Sequence, residues 1–219
     1  TKFKNKLAYY LAIFAMVFGS TFGSLNSASA NAVTLDLDND GAATTAFTDA
    51  DVITLTDDEQ IALAADDQAV SITTTASGDA TLDISAGTLT LTGDITTAAS
   101  STLDITIDAS DGLAVAGAVT ESNATTGAIT FVVEGSANLT FNGSSAKTIA
   151  AKVDGITADG TGGTLAIAGT ATKTFSDKIG ATLTTSDLTV ASGAIAVFND
   201  TVDVEDITDN SGTLTLNGV

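Results

Sequence analysis

Short stretches of this chain alternate apolar and polar residues one by one, and most of them end on glycine. Leu89-Thr90-Leu91-Thr92-Gly93 is the clearest. It returns as Leu113-Ala114-Val115-Ala116-Gly117, Leu139-Thr140-Phe141-Asn142-Gly143, Leu165-Ala166-Ile167-Ala168-Gly169 and Leu214-Thr215-Leu216-Asn217-Gly218. Leu188-Thr189-Val190-Ala191 is a variant whose glycine, Gly193, comes one place late. A period of two is what a strand with one buried face requires. The leading leucines are spaced by 24, 26, 26, 23 and 26 residues, and Ile61-Ala62-Leu63 and Leu35-Asp36-Leu37 extend the series upstream by 28 and 26. A second alternating stretch lies between most copies: Leu82-Asp83-Ile84, Leu103 to Ile107, Ile129-Thr130-Phe131 and Val202-Asp203-Val204.

Each unit of about 25 residues thus holds at least two strands and a glycine-rich corner, and a fixed period in this range marks stacked repeats. The pattern predicts an all-β fold, a parallel β-solenoid (β-helix) of seven to eight coils with inward Leu, Ile, Val and Phe. Helical repeats conflict with the alternation, and leucine-rich repeats would need a helical limb. An antiparallel β-sandwich is the alternative, but it does not require so narrow a recurrence. Thr56-Asp57-Asp58-Glu59 has capping-box spacing, so residues 60–65 read either as a short helix or as a further strand.

The first thirty residues differ from the rest. Lys2, Lys4 and Lys6 precede an apolar run from Leu7 to Phe18, and the segment closes on Ala28-Ser29-Ala30. That order predicts a secretory signal peptide cleaved to leave Asn31 at the terminus. The apolar run is shorter than the ~20 residues needed to span a bilayer, so no membrane span is expected after cleavage. The division expected is 1–30 signal peptide, 31–80 N-terminal coils with a cap, and 81–219 repeats. The repeats stop at Val219 without a polar cap, which suggests continuation beyond it or a last coil covered by another molecule.

Without the leader the chain carries four lysines against 27 acids, a net charge near −23, and no Arg, His, Cys, Trp, Tyr, Met or Pro. Zinc sites of His and Cys, Ser-His-Asp and Cys-His nucleophile pairs, and arginine clamps are therefore excluded. Nucleic acid is not an expected partner, because its binding rests on Lys and Arg.

Ser85 to Gly93 and Ser211 to Gly218 resemble the glycine-Thr-Leu repeats of β-helical passenger domains in bacterial autotransporters and related secreted surface adhesins. The resemblance covers most of residues 80 to 219. It implies a secreted, extracellular or cell-surface structural or adhesive role and transfers no functional residue. Partners expected are extracellular or cell-surface ligands, or a further copy stacked end to end on the last coil.

Three constellations bear on chemistry. Asp36, Asp38 and Asp40, followed by Gly41, have the spacing that opens a calcium loop, and calcium is the one cofactor suggested. The closing position holds Phe47, with Asp49 two places late, so the same residues also read as the outward side of a strand entering a turn. Paired carboxylates on a β-helix would suit a polysaccharide-active enzyme. Sugar stacking would then fall to Phe47, Phe131, Phe141, Phe175 and Phe198, of which Phe131 and Phe141 occupy inward positions. Thr-x-Thr pairs such as Thr88/Thr90 and Thr213/Thr215 are similar to those of ice-binding solenoids. The equivalent positions Gly112/Ala114, Asn138/Thr140, Thr164/Ala166 and Asp187/Thr189 break that array. The expected function is a non-enzymatic structural or adhesive solenoid.

Overall fold

The computed structural model describes residues 32–35, 51–55, 59–62, 66–75, 78–99, 101–122, 128–155 and 162–218, with 32–35 and 59–62 described by backbone alone. These belong to the unit Ala32–Val219. Their strands form three sheets, and the chain visits them in rotation, so each sheet is one face of a parallel β-solenoid.

Face one holds Ala32–Leu35, Val52–Leu55, Ser71–Thr74, Ile95–Thr96, Val119–Thr120, Lys147–Ile149, Thr172–Phe175, Ile195–Phe198 and Thr213–Leu216. Face two holds Glu59–Ala62, Gly78–Ala86, Ser101–Ile107, Ile129–Val133 and Lys152–Asp154. Face three holds Asp67–Ala69, Thr88–Leu91, Gly112–Val115, Asn138–Phe141, Thr164–Ile167, Thr185–Val190 and Val204–Asp209. Five successive turns have a strand on every face, and in the next two face two narrows to single-residue bridges at Ile179 and Val202. This is close to the seven to eight coils expected.

Register stacks like on like. On face three Leu89, Leu113, Leu139, Leu165 and Leu188 form one column, and Leu91, Val115, Phe141, Ile167 and Val190 form the next. Face two contributes Leu82, Ile105, Phe131 and Val153, and face one contributes Ile53, Ile72, Ile95, Val119, Ile149, Phe175 and Phe198. All of these are fully buried but for a trace of exposure at Leu113, so the columns are the core. Four phenylalanines run through it in file. Phe131 and Phe141 meet edge to face at 5.9 Å, Phe141 and Phe175 at 5.4 Å, and Phe175 and Phe198 stack at 4.6 Å.

Three register assignments differ from the leucine series. Leu188 pairs with Ile207, while Leu214 lies on face one opposite Ala196. Ile61 pairs with Ile84 on face two, and Leu35 lies on face one opposite Leu55. Each falls at the repeat spacing by coincidence, because a residue one face away differs by only a few positions along a coil. The helical option for residues 60–65 gives way where residues are described: Glu59–Ala62 is a strand, held by pairing with Gly78–Ala86, while residues 63–65 of that option lie outside the described residues.

The corner between faces three and one explains the recurring glycine. A Cβ on Gly117 would lie 2.0 Å from the Gly93 carbonyl oxygen, and one on Gly143 would lie 2.0 Å from that of Ala116. Successive coils pass backbone on backbone here, and only glycine leaves room.

Candidate functional site

Asp36, Asp38 and Asp40, together with Phe47, lie outside the described residues. Among the described residues no group of three or more acids is arranged to hold a metal ion. The other phenylalanines considered for sugar stacking, Phe131, Phe141, Phe175 and Phe198, are sealed in the core.

Many acids are fastened to the corners. The Asp94 carboxylate accepts a hydrogen bond from the Ala118 amide at 2.7 Å and faces the Lys147 ammonium at 3.6 Å. Asp111 accepts from the Gly87 amide at 2.9 Å, Asp66 from Thr88 at 3.1 Å, and Asp154 from Thr182 at 2.8 Å. Each bond ties one coil to a neighbour and satisfies an amide that the ladder leaves out at the turn.

One group of acids stands apart. Asp108 and Glu134 follow the paired residues Ile107 and Val133, which puts them one coil apart at the end of face two beside Asp83. Burial, then the Asp83 charge and a hydrogen bond with it, then the Asp111 charge, push the Asp108 carboxyl above its ordinary range. Burial, then Asp108 and Asp83, push Glu134 up as well. Sequence reading missed this group: Asp108 and Glu134 are one 26-residue repeat apart, but Asp83 pairs with Thr106, 23 residues on, and joins them from a neighbouring column. Chemically it is an acidic patch in which Asp108 and Glu134 hold their protons more tightly than free carboxyls do. A separate shallow depression of about 300 Å³ lies by Asp66, Asp67, Gln68 and Thr90.

Lys173 was equally unforeseen. All four lysines beyond residue 30 sit in two neighbouring coils, at 147 and 173 and at 152 and 178. Lys173 points inward, is fully buried, and donates to the carbonyls of Gly143 at 2.7 Å, Ala171 at 3.2 Å and Ser145 at 3.4 Å. Burial first, and the Lys147 charge second, lower its affinity for a proton. It holds together the carbonyls of a corner whose loop, Asn142 to Ala146, is longer than at the coils below.

These shifts fix the sign of the pH dependence. Asp108 and Glu134 hold protons in the fold at pH values where the unfolded chain has lost them. Their contribution to stability is therefore present below the ordinary carboxylate range and lost as pH rises through their raised values. Lowering pH from 7 toward the ordinary carboxylate range is expected to strengthen the contribution of these two groups, and Asp108→Asn should flatten that part of the profile. At the alkaline end, Lys173 releases its proton in the fold first, so its penalty fades as pH approaches 10.5 from below. Thermal melts across pH check both; an acid limb that is the same in the Asp108→Asn variant contradicts the acid assignment.

No protein-family model matches the chain, and neither a curated protein nor a solved structure is similar enough to it to count as a match.

Proposed function

We propose that the protein is a secreted or cell-surface, non-enzymatic β-solenoid that serves as a structural or adhesive element. One observation carries the reading: the side chains that chemistry would recruit are built into the scaffold. The described phenylalanines pack in the core, and Asp66, Asp94, Asp111 and Asp154 close corners between coils. What faces outward is short and polar, threonine above all with aspartates among it, as suits a surface in water. The basic and apolar order of the first thirty residues supports export, and the glycine-Thr-Leu repeats agree with the resemblance to passenger domains.

Export is testable. In its host, mass spectrometry of the exported protein should find Asn31 at the N-terminus, and protease added to intact cells should reach the chain. A cytoplasmic product that keeps Lys2 to Ala30 contradicts the reading. The group of Asp83, Asp108 and Glu134 favours a second reading, a polysaccharide-active enzyme, whose mark would be cleavage that Asp108→Asn abolishes.

A further inference from the structure

The outward charges of face two change sign along the stack. One outward column runs Thr81, Asp104, Thr130, Lys152 and Lys178 through successive coils. Asp79 and Asp83 stand two places to either side of Thr81 and so point outward with it. The early coils of this column are acidic and the later ones basic, with Thr130 between. Asp154, on the strand of Lys152, is buried and accepts from the Thr182 amide, and Asp203 belongs to the coil above the patch.

The lysines set this face apart. Of the four beyond residue 30, Lys147 is matched by Asp94, and Lys173 is buried among carbonyls. Lys152 and Lys178 remain, one above the other, and neither forms an ion pair among the described residues. Asp177, which lies near Lys152, is itself buried. Like charges in register cost stability unless an opposite charge comes to face them.

We propose that face two is the surface through which two copies of this chain associate, face to face, with their stacks running in opposite directions. The charge pattern is its own complement. A two-fold axis along the strand direction at Thr130 sets each coil against the one the same number of steps beyond that level in the other copy. Lys152 of each copy then faces Asp104 of the other, and Lys178 faces Thr81 with Asp79 and Asp83 beside it. Stacks running in the same direction would set acid on acid and lysine on lysine. A uniformly cationic partner would be repelled by the lysines, and a uniformly anionic one by the aspartates, whereas a second copy carries the inverted order by symmetry. Glu134 would meet its own copy, but it lies past the end of strand Ile129–Val133, at the rim. Five coils at about 4.8 Å and strands of about 15 Å give a patch of roughly 350 Å² per copy. About 700 Å² in all lies below the range of stable complexes, so the dimer is weak and concentration-dependent. The inference rests on the solenoid alone and does not depend on export.

Sedimentation of the full chain at about 0.15 M salt, where charge is screened beyond ~8 Å, should show dimer growing between micromolar and millimolar concentration. Lys152→Glu should weaken the dimer at least tenfold, and adding Asp104→Lys should restore it. Adding Asp187→Lys instead, on face three, returns the same net charge and should not. In the unmodified protein, a zero-length carbodiimide cross-link should join Lys178 to Asp79 or Asp83. Within one copy these lie four steps of about 4.8 Å apart, too far for such a link. A monomer at every concentration overturns the proposal, as does a dimer indifferent to Lys152→Glu or rescued equally by the lysines at 104 and 187. A cross-linked dimer without a Lys178 link to Asp79 or Asp83 overturns it as well, and that result needs no variant to fold.

Discussion

Gly117→Ala is expected to destabilise the protein by about 4 kcal/mol or more, at the severe end of single substitutions. The added methyl would lie 2.0 Å from the Gly93 carbonyl oxygen, 2.2 Å from its carbon and 2.6 Å from the Asp94 nitrogen. All three are backbone atoms of the coil below, so no side-chain rotation relieves the clash. The coils must separate at this corner, and the ladder bonds on either side are strained with it. Gly193→Ala is the control. Its Cβ would meet only the Thr170 methyl, at 3.9 Å, but the backbone sits at φ +75°. That change should cost about 1–2 kcal/mol, the ordinary penalty of a left-handed alanine. Urea denaturation of the two variants measures the contrast, and equal losses would remove the steric account of the repeat's glycine.

The second large effect is expected at Phe141, where alanine should cost about 3–5 kcal/mol. The ring is fully buried between Val115 and Ile167 in its column and meets Phe131 and Phe175 edge to face. Its loss leaves a cavity bordered by all three faces, where close-packed columns cannot collapse without shifting register. Phe141→Leu keeps most of the volume and should cost no more than ~1.5 kcal/mol. Because each coil leans mainly on its neighbours, the damage should stay local. Hydrogen exchange should quicken first in Leu113 to Val115 and Leu165 to Ile167, while Leu82 to Ile84 keep their protection. Uniform loss of protection would mean that the stack unfolds as one block.

Face three was the most legible part of the fold because its strands are regular. From Thr88 to Ile167 each is four residues long and ends near a corner glycine, so period and register can be read together. Face one was not legible. Ile95–Thr96 and Val119–Thr120 are two residues long, too short for alternation to show, and its threonine columns emerge only when coils are stacked. Leu214 misled for a related reason. The final turns shorten, so the true partner of Leu188 is Ile207, 19 residues on, and Leu214 arrives 26 residues on but on another face. Ile207, Leu214 and Leu216 therefore continue three different columns, and the acids Glu205, Asp206 and Asp209 beside Ile207 discourage pairing along that edge. The candidate site was legible only in the 26-residue spacing of Asp108 and Glu134. Asp83, Asp108 and Glu134 are dispersed in sequence, and their meeting depends on which face each coil presents. Lys173 defied composition rules, since a lysine at an inward position reads as an error until three carbonyls are found around its ammonium.

The central claim is that successive coils stack in parallel register, with one residue above the next. Thr90, Ala114, Thr140, Ala166, Thr189 and Thr208 form such a column on face three. Spin labels on Thr90→Cys and Thr208→Cys, introduced into a chain that has no other cysteine, measure it directly by pulsed electron resonance. Five steps of about 4.8 Å predict a narrow distribution near ~24 Å, broadened only by the label arms. A distribution centred well away from that value, or spread without a maximum, would contradict the stacked solenoid.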